Sequence, residues 1–169
     1  MDAIQAVITR RSIRRYKQGD VPEDMVQQLL QAAMNAPSAG NEQPWQFIVI
    51  RQRRILDAVP AIHPHSQMLK DAALGIVVCG DLSLEVYKGF WVQDCSAATQ
   101  NILIAAHALG LGAVWLGFHP MEDRVAGLKG LLSLPEHIIP LSMVSIGWPA
   151  EQKPPGTRYR QERVHYDKW

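Results

Sequence analysis

Arg10-Arg11-Ser12-Ile13-Arg14, with Arg15 directly behind, is the stretch around which the chain is organised. Three guanidinium groups and one hydroxyl within five residues form a short array of donors. Such an array suits a phosphate, or another anion that takes several charge-assisted hydrogen bonds at once. A solvated basic turn is the plain alternative, since Arg is a surface residue by default. Just upstream, Asp2 to Arg10 puts Ile4, Val7 and Ile8 on one helical face, so a short amphipathic helix delivers the cluster at its C-terminal end. Cations at that end complement the helix dipole.

Composition makes the cluster a local feature. The 169 residues carry 17 Lys and Arg against 16 Asp and Glu. So even a balance argues against a polyanion-binding surface, and nucleic acid is not an expected partner. With 47% apolar residues, the chain is long enough for one compact domain, 1–169. A domain of this size buries about 70% of the surface that its unfolded chain exposes. Cys79 and Cys95 form no C-x-x-C pair and read as buried small hydrophobes of a cytoplasmic protein. Residues 1–15 contain no apolar run of signal-peptide length, and the apolar stretch Ile102 to Leu116 is too short and glycine-broken to span a bilayer.

Downstream of the cluster, Glu23 follows Asp20 by three residues with Pro22 between, which predicts a helix start. Val21, Met25, Val26, Leu29, Leu30 and Ala33 carry helical spacing to about Asn35 and should build core. Ala36-Pro37-Ser38-Ala39-Gly40-Asn41-Glu42-Gln43-Pro44-Trp45 then connects to a strand from Gln46 to Arg51, with Phe47 and Val49 on one side. Ten residues of so little bulk exceed what a plain turn needs and point to a backbone that something flat or extended can approach closely. Asn41 and Gln43 can both donate and accept, as the edge of a heterocycle requires. An ordinary helix-to-strand turn is the alternative.

Residues 53–72 read as one or two short helices joined by a loop from Pro60 to Ser66. That loop contains His63-Pro64-His65, but no third ligand lies at zinc-type spacing, so no metal is expected. Leu74 to Cys79 predicts a strand buried on both faces. From Trp91 to Leu109 the chain is helical, with Val92, Cys95, Ala98, Ile102, Ala105 and Leu109 at helical intervals. A helix apolar over so much of its circumference predicts a subunit interface. Gly110-x-Gly112 is preceded by a helix and followed by a strand, Ala113 to Leu116. This reverses the order of a dinucleotide fingerprint, so the glycines read as a helix cap. A helix from Met121 to about Leu132 and a strand from Ile138 to Gly147 complete the core. The tail after Trp148 is rich in turn formers, yet Tyr159, Val164, Tyr166 and Trp169 are costly to leave in water, so it should lie across another surface.

Several motifs in register carry a family resemblance. R-R-S-x-R-x-Y at Arg10 to Tyr16 and A-P-S-x-x-N-x-Q-P-W-x-F at Ala36 to Phe47 resemble the short members of the FMN-dependent nitroreductase family. So do Gln93-Asp94 through Asn101, Leu109 through Gly117, Ile146-Gly147-Trp148-Pro149 and Arg163-Val164-His165-Tyr166, and the resemblance covers nearly the whole chain. It implies an α+β fold, a three-layer α/β/α sandwich with a mostly antiparallel central sheet and a C-terminal tail that wraps the partner subunit. It also implies a homodimer with FMN at the subunit interface.

Residue by residue, the resemblance implies that Arg10 and Ser12 hold the phosphate, that Arg11 contributes charge or backbone, and that Arg14 lies toward the N1/O2 side of the flavin. Pro37, Ser38, Ala39 and Asn41 would come from the other subunit and line the ring and its polar edge. The backbone of Trp115, Leu116 and Gly117 would lie against the ring and donate near N5. Arg158 or Arg160, with Arg158 preferred, would add a phosphate contact, and His65 or Gln67 could pass near the flavin. The implied activity is hydride transfer from NADH or NADPH to flavin N5, then ping-pong reduction of a small-molecule acceptor such as a nitroaromatic or quinone. No side chain need act as acid or base in the first half-reaction, so no catalytic residue is nominated. The same scaffold can host flavin breakdown, dehydrogenation or dehalogenation, or a non-enzymatic flavin carrier.

Overall fold

A computed structural model describes residues 1–169. Its first helix, α1 (Ala3–Thr9), starts at Asp2, whose carboxylate accepts the Gln5 N–H at 2.9 Å and so satisfies one of the orphan donors of the first turn. The apolar face expected of α1 finds no cover in the chain. Ile4, Val7 and Ile8 are 67%, 53% and 55% exposed, and only Ala6 is buried.

The short strand β1 (Tyr16–Lys17) leads to α2 (Glu23–Met34). The capping expected from Asp20 is absent: Pro22 takes the cap position and no side chain bonds there. Proline fixes its own backbone, and Glu23 and Asp24 in the first turn complement the helix dipole instead. Val26, Leu29 and Ala33 form the buried stripe of α2, as their spacing predicts.

The remaining strands are β2 (Trp45–Ile50), β3 (Leu74–Asp81), β4 (Gly112–Gly117) and β5 (Ile138–Pro149), and every strand pairing is antiparallel. β5 is the centre of the sheet: its Val144 is flanked by Ile76 of β3 and Trp115 of β4. β2 pairs outside β3, and β1 pairs with the end of β5 through Tyr16 and Pro149. β3 is buried along its whole length because both faces of the sheet are covered. Leu74, Ile76 and Val78 point to a core shared with α2 and with α4 (Trp91–Ala108). Val77 and Cys79, one residue out of phase, point to a second core with α3 (Arg53–Ile62) and α5 (Glu122–Leu132). The result is the expected three-layer α+β sandwich.

One further local expectation fails. α3 runs through Pro60 to Ile62, so the loop begins at His63 and not at Pro60. The buried stripe of Leu56 and Val59 holds the last turn despite the missing donor. On α4, Cys95, Ala98, Ile102 and Ala106 pack against α2 and the sheet, and Ala97, Ile104 and Ala105 stay partly exposed on the rest of its surface. The glycine cap after α4 is as expected. Gly110 has φ +79°, its N–H bonds the His107 carbonyl at 3.1 Å, and the Leu111 N–H reaches back to Ala106 at 2.8 Å, which is the Schellman pattern. Cys79 and Cys95 are buried free thiols, and burial pushes Cys79 up to about 12. No helix is long and apolar enough to cross a membrane.

Candidate functional site

The backbone that carries the arginine cluster is stitched to the sheet. The Ile13 N–H donates to the Ala113 carbonyl at 3.0 Å, next to a bridge between Ser12 and Ala113 at the start of β4. The Tyr16 hydroxyl lies 3.0 Å from the Ile13 carbonyl and 3.1 Å from that of Ser145 in β5. From the far end of the chain, the Ala150 N–H bonds the Arg15 carbonyl at 2.9 Å, Glu151 accepts the Arg14 N–H at 2.6 Å, and Lys153 Nζ donates to the Ser12 carbonyl at 2.8 Å. The cluster is thus presented from a fixed frame.

Arg10, Arg11 and Arg158 converge on a cleft of about 630 Å3 whose other walls include Val7, Ile8, Gln100, Gly156, Thr157 and Tyr159. No acidic side chain lines it, and none of these arginines takes part in an ion pair. The Arg11 Nε is buried without a partner. Burial, then the like charges of Arg158 and Arg11, hold the Arg10 guanidinium below its ordinary range. The tail passes directly over the cluster at Gly156, where a Cβ would lie 2.5 Å from Arg11 Nη1 and 3.2 Å from Arg158 Nε. Three cations with unmet donors and no internal counter-charge fit a phosphate. His107 stands beside them. The Thr9 hydroxyl donates to the Gln5 carbonyl at 2.6 Å, so at 2.8 Å it is the His107 Nε2–H that donates to Thr9 Oγ1. Burial and the charge of Arg10 push this imidazole down.

A second concavity, of about 360 Å3, is lined by Pro37, Ser38 and Ala39 together with Phe90, Gln93, Asp94 and Ala97, and shares no lining residue with the first. Its turn winds through Gly40, Asn41 and Gln43 at φ +54°, +59° and +50°, a conformation that L side chains other than Asn and Asp seldom adopt. The Gln43 N–H donates to Ser38 Oγ at 3.0 Å and its side-chain amide to Asn41 Oδ1 at 2.8 Å, so the polar pair is spanned by its own bond. Asp94 Oδ1 accepts the Ala39 N–H at 3.0 Å.

Trp115, Leu116 and Gly117 line neither concavity. They occupy β4, where Leu116 is buried and its backbone groups are turned toward β5. β4 pairs with β5 on one side, and its outer edge is bridged only at Ala113. The backbone groups of Trp115 and Gly117, in phase with Ala113, therefore face that edge with no strand opposite, and the Gly117 carbonyl there accepts from Arg124. The chain brings Arg10, Arg11 and Arg158 together, keeps Ser12 next to them through its backbone, and leaves Arg14 exposed outside the cleft. Arg160, His65 and Gln67 are exposed and line neither concavity. Instead His63 is the buried histidine, with its Nε2 3.2 Å from Arg124 Nη1, which also donates to the Gly117 carbonyl at 3.2 Å. Gln100, Asp94 and Lys153 were not anticipated as site neighbours, because nothing local in the sequence links them to the cluster.

These features set its class, a three-layer α+β protein with an uncompensated cationic cleft, and comparison places it more narrowly. Residues 7–77 and 61–148 match the Nitroreductase family, and the chain belongs to that family. A protein of Methanothermobacter thermautotrophicus, provisionally named NADH dehydrogenase/NAD(P)H nitroreductase, is 54% identical over 171 residues, covering 100% of this chain and 88% of the relative. A crystal structure under the same provisional name from Parabacteroides distasonis superposes with a TM-score of 0.95 at 37% identity, covering 99% of this chain and 98% of the other. A provisionally named nitroreductase from Desulfovibrio desulfuricans, solved in complex with FMN, gives 0.87 at 32% identity and covers 100% and 98% of the two chains.

Proposed function

We propose that the protein is an FMN-dependent oxidoreductase that passes hydride from NADH or NADPH to a small acceptor such as a nitroaromatic or quinone, in a ping-pong cycle. Residues 1–169 act in this reading as one FMN-binding unit of a homodimer. The observation that carries it is the cleft where Arg10, Arg11 and Arg158 converge with no acidic partner. The FMN complex of the Desulfovibrio desulfuricans relative and the provisional names of the others support the same reading.

When bound, FMN supplies the redox chemistry, taking hydride from the nicotinamide and returning electrons to the acceptor. The chain supplies binding and orientation. Arg10, Arg11 and Arg158 neutralise the phosphate, with the Ser12 hydroxyl as a further donor, and the cationic Arg14 favours negative charge on the pyrimidine side of the ring. The outer edge of β4 offers the backbone N–H groups of Trp115 and Gly117 to the ring, while Leu116 between them ties the strand to β5. Pro37, Ser38, Ala39 and Asn41 line the ring from the second copy, which agrees with Pro37, Ser38 and Ala39 lying in a concavity separate from the arginines. Pairing also covers apolar surface that one chain leaves in water: Ile4, Val7 and Ile8 of α1, and Tyr159, Val164, Tyr166 and Trp169 of the tail.

The test is direct. Purified protein should sediment as a dimer, take up FMN, lose its yellow absorbance on anaerobic mixing with NADH or NADPH, and recover it with a quinone. A bound flavin that stays oxidised would favour the carrier reading. If FMN neither binds nor raises the melting temperature, an anion-binding interaction domain becomes the better description. Arg10→Ala should weaken FMN retention by roughly 1.5 to 3 kcal/mol, the range for hydrogen bonds to charged groups, and unchanged affinity would remove Arg10 from the site.

A further inference from the structure

Asp94 lies in the first turn of α4 and is only 5% exposed. One carboxylate oxygen, Oδ1, accepts the Ala39 N–H at 3.0 Å, while the other, Oδ2, is buried without a partner in the wall of the Pro37–Ala39 groove. No cation pairs with it. Its charged neighbours are Glu42 and Glu85, and Lys88 lies 4.0 Å from Glu85 and is largely exposed. A buried carboxylate with half its acceptors unmet, facing like charges, is an expensive way to hold one amide.

The segment it holds closes its own turn, with the Asn41 N–H on the Ser38 carbonyl at 3.1 Å and the Glu42 N–H on the Ala39 carbonyl at 3.0 Å, but those bonds do not fix the turn against the rest of the chain. Gly40, Asn41 and Gln43 are all left-handed. On the outer side, Glu42 Oε1 accepts the Val86 N–H at 2.9 Å and also bonds the Tyr87 N–H. Tyr87 covers Gly40 so closely that a Cβ there would meet its ring at 2.4 Å. On the inner side, the recorded bond from this segment to α4 that reaches the groove is the one between Ala39 and Asp94.

We infer that Asp94 is the positioning residue of the groove, its carboxyl fixing the Ser38–Ala39 backbone to α4 so that the helix sets the wall met by the flat part of the bound flavin. The role rests on the FMN reading above, and its readouts separate the two. In the ligand-free protein, Asp94→Ala should speed hydrogen exchange at the Ala39 amide. With FMN present, Asp94→Ala should raise the dissociation constant roughly tenfold, the effect of one lost hydrogen bond, and shift the visible flavin band. Inorganic phosphate should compete at the arginine cleft as in wild type. Asp94→Asn keeps an oxygen for the Ala39 N–H and should leave affinity within about twofold, with exchange and spectrum close to wild type.

Wild-type exchange, affinity and band position in Asp94→Ala would overturn the assignment. So would an Asp94→Asn protein as impaired as the alanine variant, or loss of phosphate binding along with FMN. If the wild type takes up no FMN, the oxidoreductase reading fails, and exchange at Ala39 still decides whether the tether exists.

Discussion

His63 and His107 are both held below the ordinary imidazole value, chiefly by burial and then by the neighbouring charges of Arg124 and Arg10 respectively. As pH falls through about 6.5, the unfolded chain takes up protons that the folded chain resists, so stability drops and levels off only below the depressed values. Asp94 works in the opposite sense. Burial, Glu42 and Glu85 raise its carboxyl against the lowering effect of the Ala39 N–H, so stability slips as pH climbs past the ordinary carboxylate range. Urea midpoints should therefore fall on mild acidification from neutrality, and the paired change His63→Gln and His107→Gln should flatten that limb. A midpoint that rises instead would contradict both assignments. At this scale the sequence was informative where a site is contiguous: Arg10 and Arg11 stand side by side and both reach the cleft. It was silent on Asp94, which meets Ala39 across 55 residues, and on Lys153, which meets Ser12 across 141. The sequence reading prefers Arg158 to Arg160, and the fold sets Arg158 beside Arg10 in the cleft, a placement that no spacing along the chain encodes.

Among the elements, α4 serves both concavities. Asp94 in its first turn borders the Pro37–Ala39 groove, Gln100 lines the arginine cleft, and His107 in its last turn bonds Thr9 at the end of α1. How α4 stops therefore matters to the cleft. Gly110→Ala meets nothing within 4 Å, so its expected cost is conformational only, about 1 to 2 kcal/mol for a left-handed residue with a Cβ. Chemical denaturation measures this, and a neutral result would show that the cap is replaceable. The elements themselves were legible because two periodicities dominate the chain. Spacing of three to four gave α2 and α4, and the unbroken apolar run of β3 announced a sheet covered on both faces. Boundaries were less legible. Pro22 displaced the cap expected at Asp20, and packing of Leu56 and Val59 carried α3 past Pro60.

At the scale of the whole molecule, a single chain leaves much apolar surface in water. Its interior is closed by two cores on either side of one sheet, but α1 and the tail turn apolar side chains outward, and the two concavities share no wall. Residues 157–169 are exposed throughout, and beyond Lys153 the tail's recorded hydrogen bonds are all internal to it. This leaves Arg158, Arg160, Arg163 and Lys168 within reach of trypsin. Digestion of the empty protein should begin at these bonds, and mass spectrometry should find FMN slowing the first nick in wild type but not in Arg10→Ala. Equal rates with and without FMN would detach the tail from the site. Protease sensitivity thus becomes a gauge of occupancy that requires neither turnover nor colour.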